Sequence, residues 1–586
     1  MINESAIILK DIVKKINLLK NLYDRIYFRI KKLYHKVKLN LSIQYEKLNY
    51  LQPNNQTTQF SIIIPTFKPD LVTFKSMLDS VMEQTYQHWQ LIIVDDASNC
   101  RLLSDYLLTL NDNPKINIIT KQKNGHISKA SNTGLEFAKG DYLLLLDQDD
   151  TLHPDALKCV AYYLEQNPNA RVLYSDEDKI DAKGNHHTPH FKPAFNPDLL
   201  YSHNYMSHLG VYQRELVEKV GGFREGYEGS QDYDLLLRCL EHCKPEEVVH
   251  IPYVLYHWRA VPGSTAFAES EKGYAQDAGL RALQDHLGPK GVSVELGKLP
   301  NTYRARWPIP AKAPLVSIFI PTRNGKALVE RCVTSLYEKN DYSQFEVLLV
   351  DNQSDCNESK ALFKQLELAG KVRLLTFDAP FNYSAINNMA AKHAKGDVLL
   401  LLNNDVEAIN PDWLREMVSH AIRPDIGCVG AKLYYPDGRL QHAGVITGLG
   451  GVAGHSHKYF PGDHPGYFKR LQIIQNFSAV TGACLAVRKS VFEQVGGLNE
   501  KDLAIAFNDV DFCLRVRDSG YRNLWTPYAT LIHHESVSRG AENSPEKIAR
   551  FQREIVYMKQ RWGDSLLNDP NYSQWLTLDR EDFSYR

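Results

Sequence analysis

At 586 residues the chain is too long for one ordinary hydrophobic core, so two or more domains are expected. It is 43% hydrophobic and 23% charged, and its net charge of −1 argues against a nucleic-acid-binding protein. No apolar run approaches the roughly 18–20 residues that span a bilayer, and no compact apolar block with a cleavage site marks a secretion signal.

In chain order, the first fifty residues stand apart, with eleven Lys and Arg against four Asp and Glu. Ile12, Ile16, Leu19, Tyr23, Ile26, Ile30, Leu33 and Val37 step by fours and threes, which predicts a helix with one apolar stripe and basic flanks. Three roles fit it: lying on an anionic membrane surface, pairing as a short coiled coil, or capping the domain that follows. From Ser61 the pattern changes. An apolar strand at Ser61–Pro65, a helical stretch at Ser76–Gln84 and a second strand at Leu91–Asp95 predict a βαβ unit in a mostly parallel sheet. Leu143–Leu146 and Val398–Leu402 read as further buried strands. In open α/β sheets ligands bind at the carboxyl ends of strands, where Asp95, Asp96 and Asp147 to Asp150 fall. The nine cysteines are scattered. Cys239 and Cys243 share a helix, but no second pair completes a zinc site, so all nine read as reduced thiols of a cytosolic protein.

The chain repeats itself. Ser61-Ile-Ile-Ile-Pro-Thr66, Val94-Asp95-Asp96-Ala-Ser98 and Lys139-Gly140-Asp141 each recur 256 positions on, as Ser317-Ile-Phe-Ile-Pro-Thr322, Val350-Asp351-Asn352-Gln-Ser354 and Lys395-Gly396-Asp397. Val220-Gly-Gly-Phe223 then recurs at an offset of 275, so the second copy carries about twenty extra residues, expected between Gly427 and Thr481. So long a period means a duplicated domain, not a solenoid. The proline-rich stretch 299–314 reads as a linker. The predicted organisation is a helical extension over 1–57, a first domain over 58–298, that linker, a second domain over 315–565 and a tail over 566–586.

Several motifs carry chemistry. Leu143-Leu-Leu-Leu-Asp147-Gln-Asp149-Asp150 drives carboxylates from a buried strand into one turn, and hard oxygens so placed suit Mg²⁺ or Mn²⁺ with a substrate phosphate. Asp232 and Asp234 begin an apolar helix, as do Asp509 and Asp511; either pair fits N-capping, and Asp232 also fits a general base. His257 has a histidine near its matching place in the second copy, His533 or His534, which favours a metal ligand over a lone core histidine. Asn124-Gly125-His126 lies near Ser131-Asn132 and fits a phosphate or base contact. Gly448-Leu-Gly450 sits within the insertion, not after an opening strand, and is not read as a dinucleotide loop. His442, His455, His457 and His464 in the same insertion read as a polar surface loop.

Taken in order and spacing, Ser61–Thr66, Val94–Ser98, Asp147-Gln-Asp149-Asp150 and Gln231-Asp232-Tyr-Asp234 resemble the inverting family 2 glycosyltransferases. The resemblance covers roughly 58–565 and implies an α/β fold of two tandem GT-A, Rossmann-like domains. It implies that Pro65, Thr66, Asp95 and Asp96 cradle the base and ribose of a nucleotide sugar, that His126 and Asn132 line the donor pocket, and that Asp147 and Asp149 hold ribose and metal. Asp232 would be the catalytic base and His257 a metal or diphosphate contact. The matching second set is Pro321, Thr322, Asp351, Asn387, Asn403, Asp405, Asp509 and His533 or His534. The implied cofactor is Mn²⁺ or Mg²⁺, and the implied acceptor is a glycan or a lipid-linked glycan of a bacterial surface polysaccharide such as O-antigen or capsule. The implied place is the cytoplasm, at the inner face of the plasma membrane if the basic helix binds there.

The second copy departs from this pattern at Asn352, Asn403 and Asn404. Met558 precedes Arg561-Trp562 where processive relatives carry glutamine, so a few sugars are expected, not a long polymer. Three readings stay open: two enzymes, one enzyme with a glycan-binding scaffold, or a polymerase alternating two sugars.

Overall fold

The computed structural model describes residues 36–55, 57–260, 273–534 and 544–586. Two sheets dominate it. The first runs β3-β2-β1-β4-β8-β6-β9-β5, formed by Ile116–Thr120, Trp89–Asp95, Phe60–Thr66, Tyr142–Leu145, Gly210–Gln213, Val172–Ile180, Val248–Arg259 and Thr151–Leu152, with β7 (His186–His190) on β6. Two short strands, β10 (Ser293–Leu296) and β11 (Tyr303–Arg306), pair separately. The second large sheet runs β14-β13-β12-β15-β22-β17-β23-β16 in the same spatial order. Its strands are Arg373–Thr376, Phe345–Asp351, Val316–Thr322, Val398–Leu402, Cys484–Arg488, Ile426–Tyr434, Arg522–His533 and Val406–Ala408. Thr66 lies opposite Asp95 and Thr322 opposite Asp351, so the register repeats along with the sequence. In each domain the strands β1–β4 or β12–β15 run parallel, and β8 or β22 enters antiparallel.

Backbone approach explains two of the repeated motifs. A Cβ on Gly140 would stand 2.6 Å from Ser61 N, and one on Gly396 2.6 Å from Leu315 O. Only glycine fits there, and its N–H donates to Ser61 Oγ at 2.8 Å or Ser317 Oγ at 2.9 Å. At Gly222 (φ +68°) and Gly497 (φ +69°) the left-handed backbone brings the turn against an asparagine. Asn132 Oδ1 accepts Phe223 N–H and its Nδ2 donates back to Phe223 O, both at 2.8 Å. Asn388 does the same for Leu498 at 2.8 and 2.9 Å.

The extra residues of the second domain fall between β17 and β22, inside the expected stretch. They add β18 (Leu440–His442) to β17, β21 (Gln475–Phe477) to β23, and a hairpin of β19 (Val445–Thr447) and β20 (Ala453–His455). Most of this insertion is packed, not loop: His442 is fully buried and His457 is 1% exposed, which overturns the polar-surface reading for these two, while His455 and His464 are half-buried.

Two segments read as connectors are structural. Within 299–314, Tyr303–Arg306 is a strand, and buried Arg304 pairs with Glu416 at 2.7 Å. Within 566–586, Tyr572, Trp575, Leu576 and Phe583 are buried, and Trp575 Nε1 donates to Pro252 O at 2.6 Å. Of the N-terminal helix, residues before 36 lie outside the described residues. The helix over 36–48 buries Val37, Leu41 and Leu48, and Gln44 accepts Val254 N–H at 3.1 Å, so this portion caps the first domain. All nine cysteines are free thiols, and among the described residues no helix is long and apolar enough to cross a membrane.

Candidate active site

At the carboxyl ends of β1, β2 and β4 the first domain opens two joined cavities. The smaller, about 380 Å³, is lined by Thr66, Asp96, Gln148 and Asp149. The larger, about 840 Å³, reaches His208 and Asp232. Pro65, His126, Ile127, Asp147 and Trp258 line both, so a single ligand can thread from one into the other.

The turn after β2 is built by its own acids. Asp95 accepts Ser98 N–H at 3.0 Å and shapes the turn. Asp96 accepts Gly125 N–H at 2.9 Å and pairs with Lys121 at 2.7 Å, which fixes the start of the helix His126–Glu136. After β4 three carboxylates crowd one turn. Burial and the neighbouring Asp147 charge raise the Asp149 pKa. Asp150 is different in kind: it accepts Tyr256 OH at 2.6 Å and Arg259 N–H at 2.7 Å, so it locks the turn to β9. Burial raises its pKa far above the usual carboxylate range, with Asp147 and Asp149 adding to it. Two close carboxylates aimed into a pocket, one with a raised pKa, fit a hard divalent cation.

The two aspartates of Gln231-Asp232-Tyr-Asp234 divide their work. Asp232, in the first turn of the helix Gln231–Leu240, faces the larger cavity and accepts from Asn204 Nδ2 at 3.0 Å. Burial raises its pKa, partly offset by the charge of His208. Asp234 turns away and is clamped by Arg224 and by Arg238 at 2.8 Å, and Arg238 in turn holds Val220 O and Gly222 O. The second domain repeats the division: Asp511 binds Arg515 at 2.8 Å and accepts Trp562 Nε1–H at 3.1 Å. Asp509 accepts Gly482 N–H at 2.8 Å, and burial raises its pKa.

Several expected contacts fall elsewhere. Asn132 is spent on Phe223, so Ser131 lines the cavity instead; the residue matching Asn132 is Asn388, and Asn387 stands at the place of Ser131. His257 pairs across the sheet with Thr151 and Asp178, while Ile532 pairs with Glu407 and Tyr434, each 256 positions on. Ile532 therefore matches His257, His533 matches Trp258, and His534 matches Arg259. Successive residues of a strand face opposite ways. Trp258 consequently lines both cavities, while His257 turns to Asp178, its Nδ1 at 2.7 Å from Oδ1. In the second domain His533 Nε2 lies 3.2 Å from Asp405 Oδ1, and its buried Nδ1 has no hydrogen-bond partner. His534 instead meets Glu407 at 3.0 Å. Asp405 with His533 is a donor set that fits a divalent cation; His534 is not part of it.

The asparagines of the second domain are not bare vacancies of charge. Asn352 donates to Phe377 O at 3.0 Å and Ala379 O at 2.8 Å, holding by donation the loop that Asp96 holds by acceptance. Asn404 donates to Thr322 Oγ1 at 2.9 Å, and Asn403 Nδ2 lies 3.5 Å from His533.

One part of the first site was not anticipated. Glu177, on β6, meets Lys192 at 3.2 Å and His208 at 3.5 Å. Burial alone would lower the His208 pKa, but the hydrogen bond and charge of Glu177, with Asp147 and Asp150 beyond, raise it to about 9. His208 stacks on Tyr256 with ring centres 4.4 Å apart. The signal was available: Val172-Leu-Tyr-Ser-Asp176-Glu177-Asp178 is another apolar strand ending in acids. By the β4–β8 and β15–β22 ladders His208 matches Ala483, so the second domain lacks this cation.

A duplicated open α/β sheet with acidic strand ends gathers its ligand-binding groups at the carboxyl ends of its strands. A model of glycosyl transferase family 2 matches residues 61–221 and 317–496. An uncharacterized protein, y4gI, of Sinorhizobium fredii is 50% identical over 531 residues, which are 89% of this chain and 58% of that protein. The O-antigen biosynthesis protein RfbC of Myxococcus xanthus is 40% identical over 531 residues, 90% of this chain and 41% of that protein. The chain thus spans about half the length of these relatives. Among solved structures, residues 1–349 of S. aureus TarS with UDP-GlcNAc match at 17% identity, covering 39% of this chain and 66% of that one; the TM-score of 0.33 is too low to carry an argument. The chain belongs to glycosyl transferase family 2, and it carries that family's domain twice.

Proposed function

We propose that the chain is a bifunctional inverting glycosyltransferase of bacterial surface-polysaccharide assembly, each domain transferring one sugar from a nucleoside-diphosphate donor to a glycan or lipid-linked acceptor. The observation that carries the reading is the continuity of the two first-domain cavities, which share Asp147 and end on Asp232. The nucleotide would lie against Thr66 and Asp96 and the sugar in the larger chamber. Asp232, its proton affinity raised by burial, takes the acceptor hydroxyl proton. The acceptor oxygen then attacks the anomeric carbon from the face opposite the diphosphate. Asp509 has the corresponding role. A divalent cation, Mn²⁺ or Mg²⁺, held by Asp147 and Asp149 or by Asp405 and His533, would supply neutralisation of the leaving diphosphate. A nucleotide-sugar donor supports a cytoplasmic reaction, and the O-antigen relative supports the polysaccharide context.

One observation favours a second reading, in which the second domain binds glycan without catalysis: Asp509 Oδ2 is already held by Gly482 N–H, and Asn404 by Thr322. Donor turnover separates them. Wild type, Asp232→Asn and Asp509→Asn are assayed against a panel of nucleotide sugars with Mn²⁺ and a lipid-linked acceptor, reading released nucleoside diphosphate. Two enzymes predict two donors, each lost in a different variant. Unchanged turnover in Asp509→Asn supports the scaffold. Loss of all elongation in either variant supports an alternating polymerase, and no release at all removes the catalytic reading.

A further inference from the structure

The turn of His257 away from the donor site brings it into a second group. The carboxylate of Asp178, at the end of β6, bridges two imidazoles: Oδ2 lies 2.8 Å from His186 Nδ1 on β7, and Oδ1 lies 2.7 Å from His257 Nδ1 on β9. One ligand atom from each of the three residues lies within 4.8 Å of the others. Asp178 has no exposed side-chain surface and His257 only 7%, while His186 keeps 38% and gives solvent a way in.

We propose that Asp178, His186 and His257 bind Zn²⁺, at a site separate from the donor site. The donor set is two nitrogens and one oxygen. Mg²⁺ and Mn²⁺ prefer oxygen ligands, whereas a borderline ion such as Zn²⁺ takes imidazole and carboxylate together at about 2.0–2.2 Å. Tetrahedral bonds of that length separate the ligand atoms by about 3.4 Å, inside the 4.8 Å within which the three ligand atoms lie. Three protein ligands leave the fourth position to water. The surroundings suit such an occupant. His153 packs edge-on to His257 with ring centres 6.5 Å apart, and Tyr45 lies tilted against His153 with ring centres 4.4 Å apart. The Tyr45 hydroxyl feels the Asp178 charge and is buried with no hydrogen-bond partner, an orphan that an ion and its water would satisfy.

The ligands come from three different elements, and this defines what the ion does. It ties the β6–β7 hairpin to β9. The hairpin carries Thr188 and His190, and β9 carries Trp258, all three lining the larger cavity. The ion is therefore a fastener for the wall of the sugar chamber, and no step of the transfer runs through it.

The test reads the metal directly and does not depend on activity. Full-length protein, its Asp147→Asn/Asp149→Asn double variant and His186→Ala are stripped with chelator, loaded with Zn²⁺, desalted and analysed for bound metal. Wild type and the double variant are each expected to hold one zinc per chain that His186→Ala lacks, any ion at Asp405 and His533 being common to all three. Co²⁺ loading is expected to give the visible absorption of a four-coordinate cobalt–imidazole centre in the first two proteins alone. Zn²⁺ should raise the Tm of wild type and leave that of His186→Ala unchanged, with the two proteins melting alike in chelator. Zinc retained equally by His186→Ala, zinc lost with the donor-site carboxylates, or no zinc retained by folded wild type each overturns the proposal.

Discussion

A carboxylate that removes a proton has to be shielded enough to hold its affinity for that proton and open enough to meet the acceptor. Asp232 meets both conditions, half-buried in the cleft wall and lining the cavity, whereas Asp234 is sealed under Arg224 and Arg238. Replacing Asp232 by Asn should cut first-domain transfer by about 10²–10⁴-fold, the usual worth of a general base, and leave the Tm nearly unchanged. Kinetics and a melting curve on the same preparation check this; a large Tm loss would make Asp232 a structural residue. His208 makes a prediction of a different kind. Its folded pKa, about 9, lies above the ordinary imidazole value of 6.5. The stabilisation it brings is therefore fully present below about pH 6.5 and is lost as pH rises through about 9. Melting at pH 6 and pH 9.5 should show a larger drop for wild type than for His208→Gln. Equal drops would mean that Glu177 does not hold the imidazolium.

At the scale of elements, the Asp-x-Asp pair is where a motif and its structural reason part. The second aspartate is a helix fastener: Arg238 binds it and then reaches back to Val220 O and Gly222 O, tying the helix Gln231–Leu240 to the Gly-Gly turn. Asp234→Ala leaves Arg238 without its carboxylate, and a broken buried pair costs about 3–5 kcal/mol. That variant should melt well below wild type, and Asp511→Ala likewise, whereas Asp232→Asn should not; differential scanning calorimetry distinguishes them. The strands, their repeat and the acidic turns were legible in the sequence because each rests on a local apolar run followed by a polar break. Asn132 and His257 were not, because their roles depend on facing and on distant partners. Asn132 is claimed by a turn 91 residues away, and His257 by its place on one side of a strand whose other side carries Trp258. A one-residue slip in matching His257 to His533 changes the face completely, and only the ladders resolve it.

At the scale of the molecule, duplication has not left two independent beads. Asn196 and Asn476 exchange hydrogen bonds at 3.0 Å, and buried Asp198 meets Arg423 at 2.5 Å and Arg522 at 3.4 Å across the domain boundary. Phe191 N–H donates to Tyr467 of the insertion at 2.8 Å, and His190 stacks on Phe468 with ring centres 3.7 Å apart. The final segment completes the joint. Trp575 bonds Pro252 of the first domain, Pro570 O accepts Ala194 N–H at 2.8 Å, and Asp569 accepts Ser478 Oγ–H of the second domain at 2.6 Å. Tyr572, Trp575, Leu576 and Phe583 bury their side chains against both halves and the N-terminal helix. Each such side chain contributes about 1.5–3 kcal/mol, so four together rival the whole stability of about 5–15 kcal/mol of an ordinary domain. A chain ending at residue 565 keeps every catalytic candidate yet exposes this seam. It should be recovered mainly insoluble, while the full chain unfolds in a single calorimetric transition. A soluble truncation with wild-type melting, or two well-separated transitions in the full chain, would mean that the domains are stable apart and that the seam only orients them.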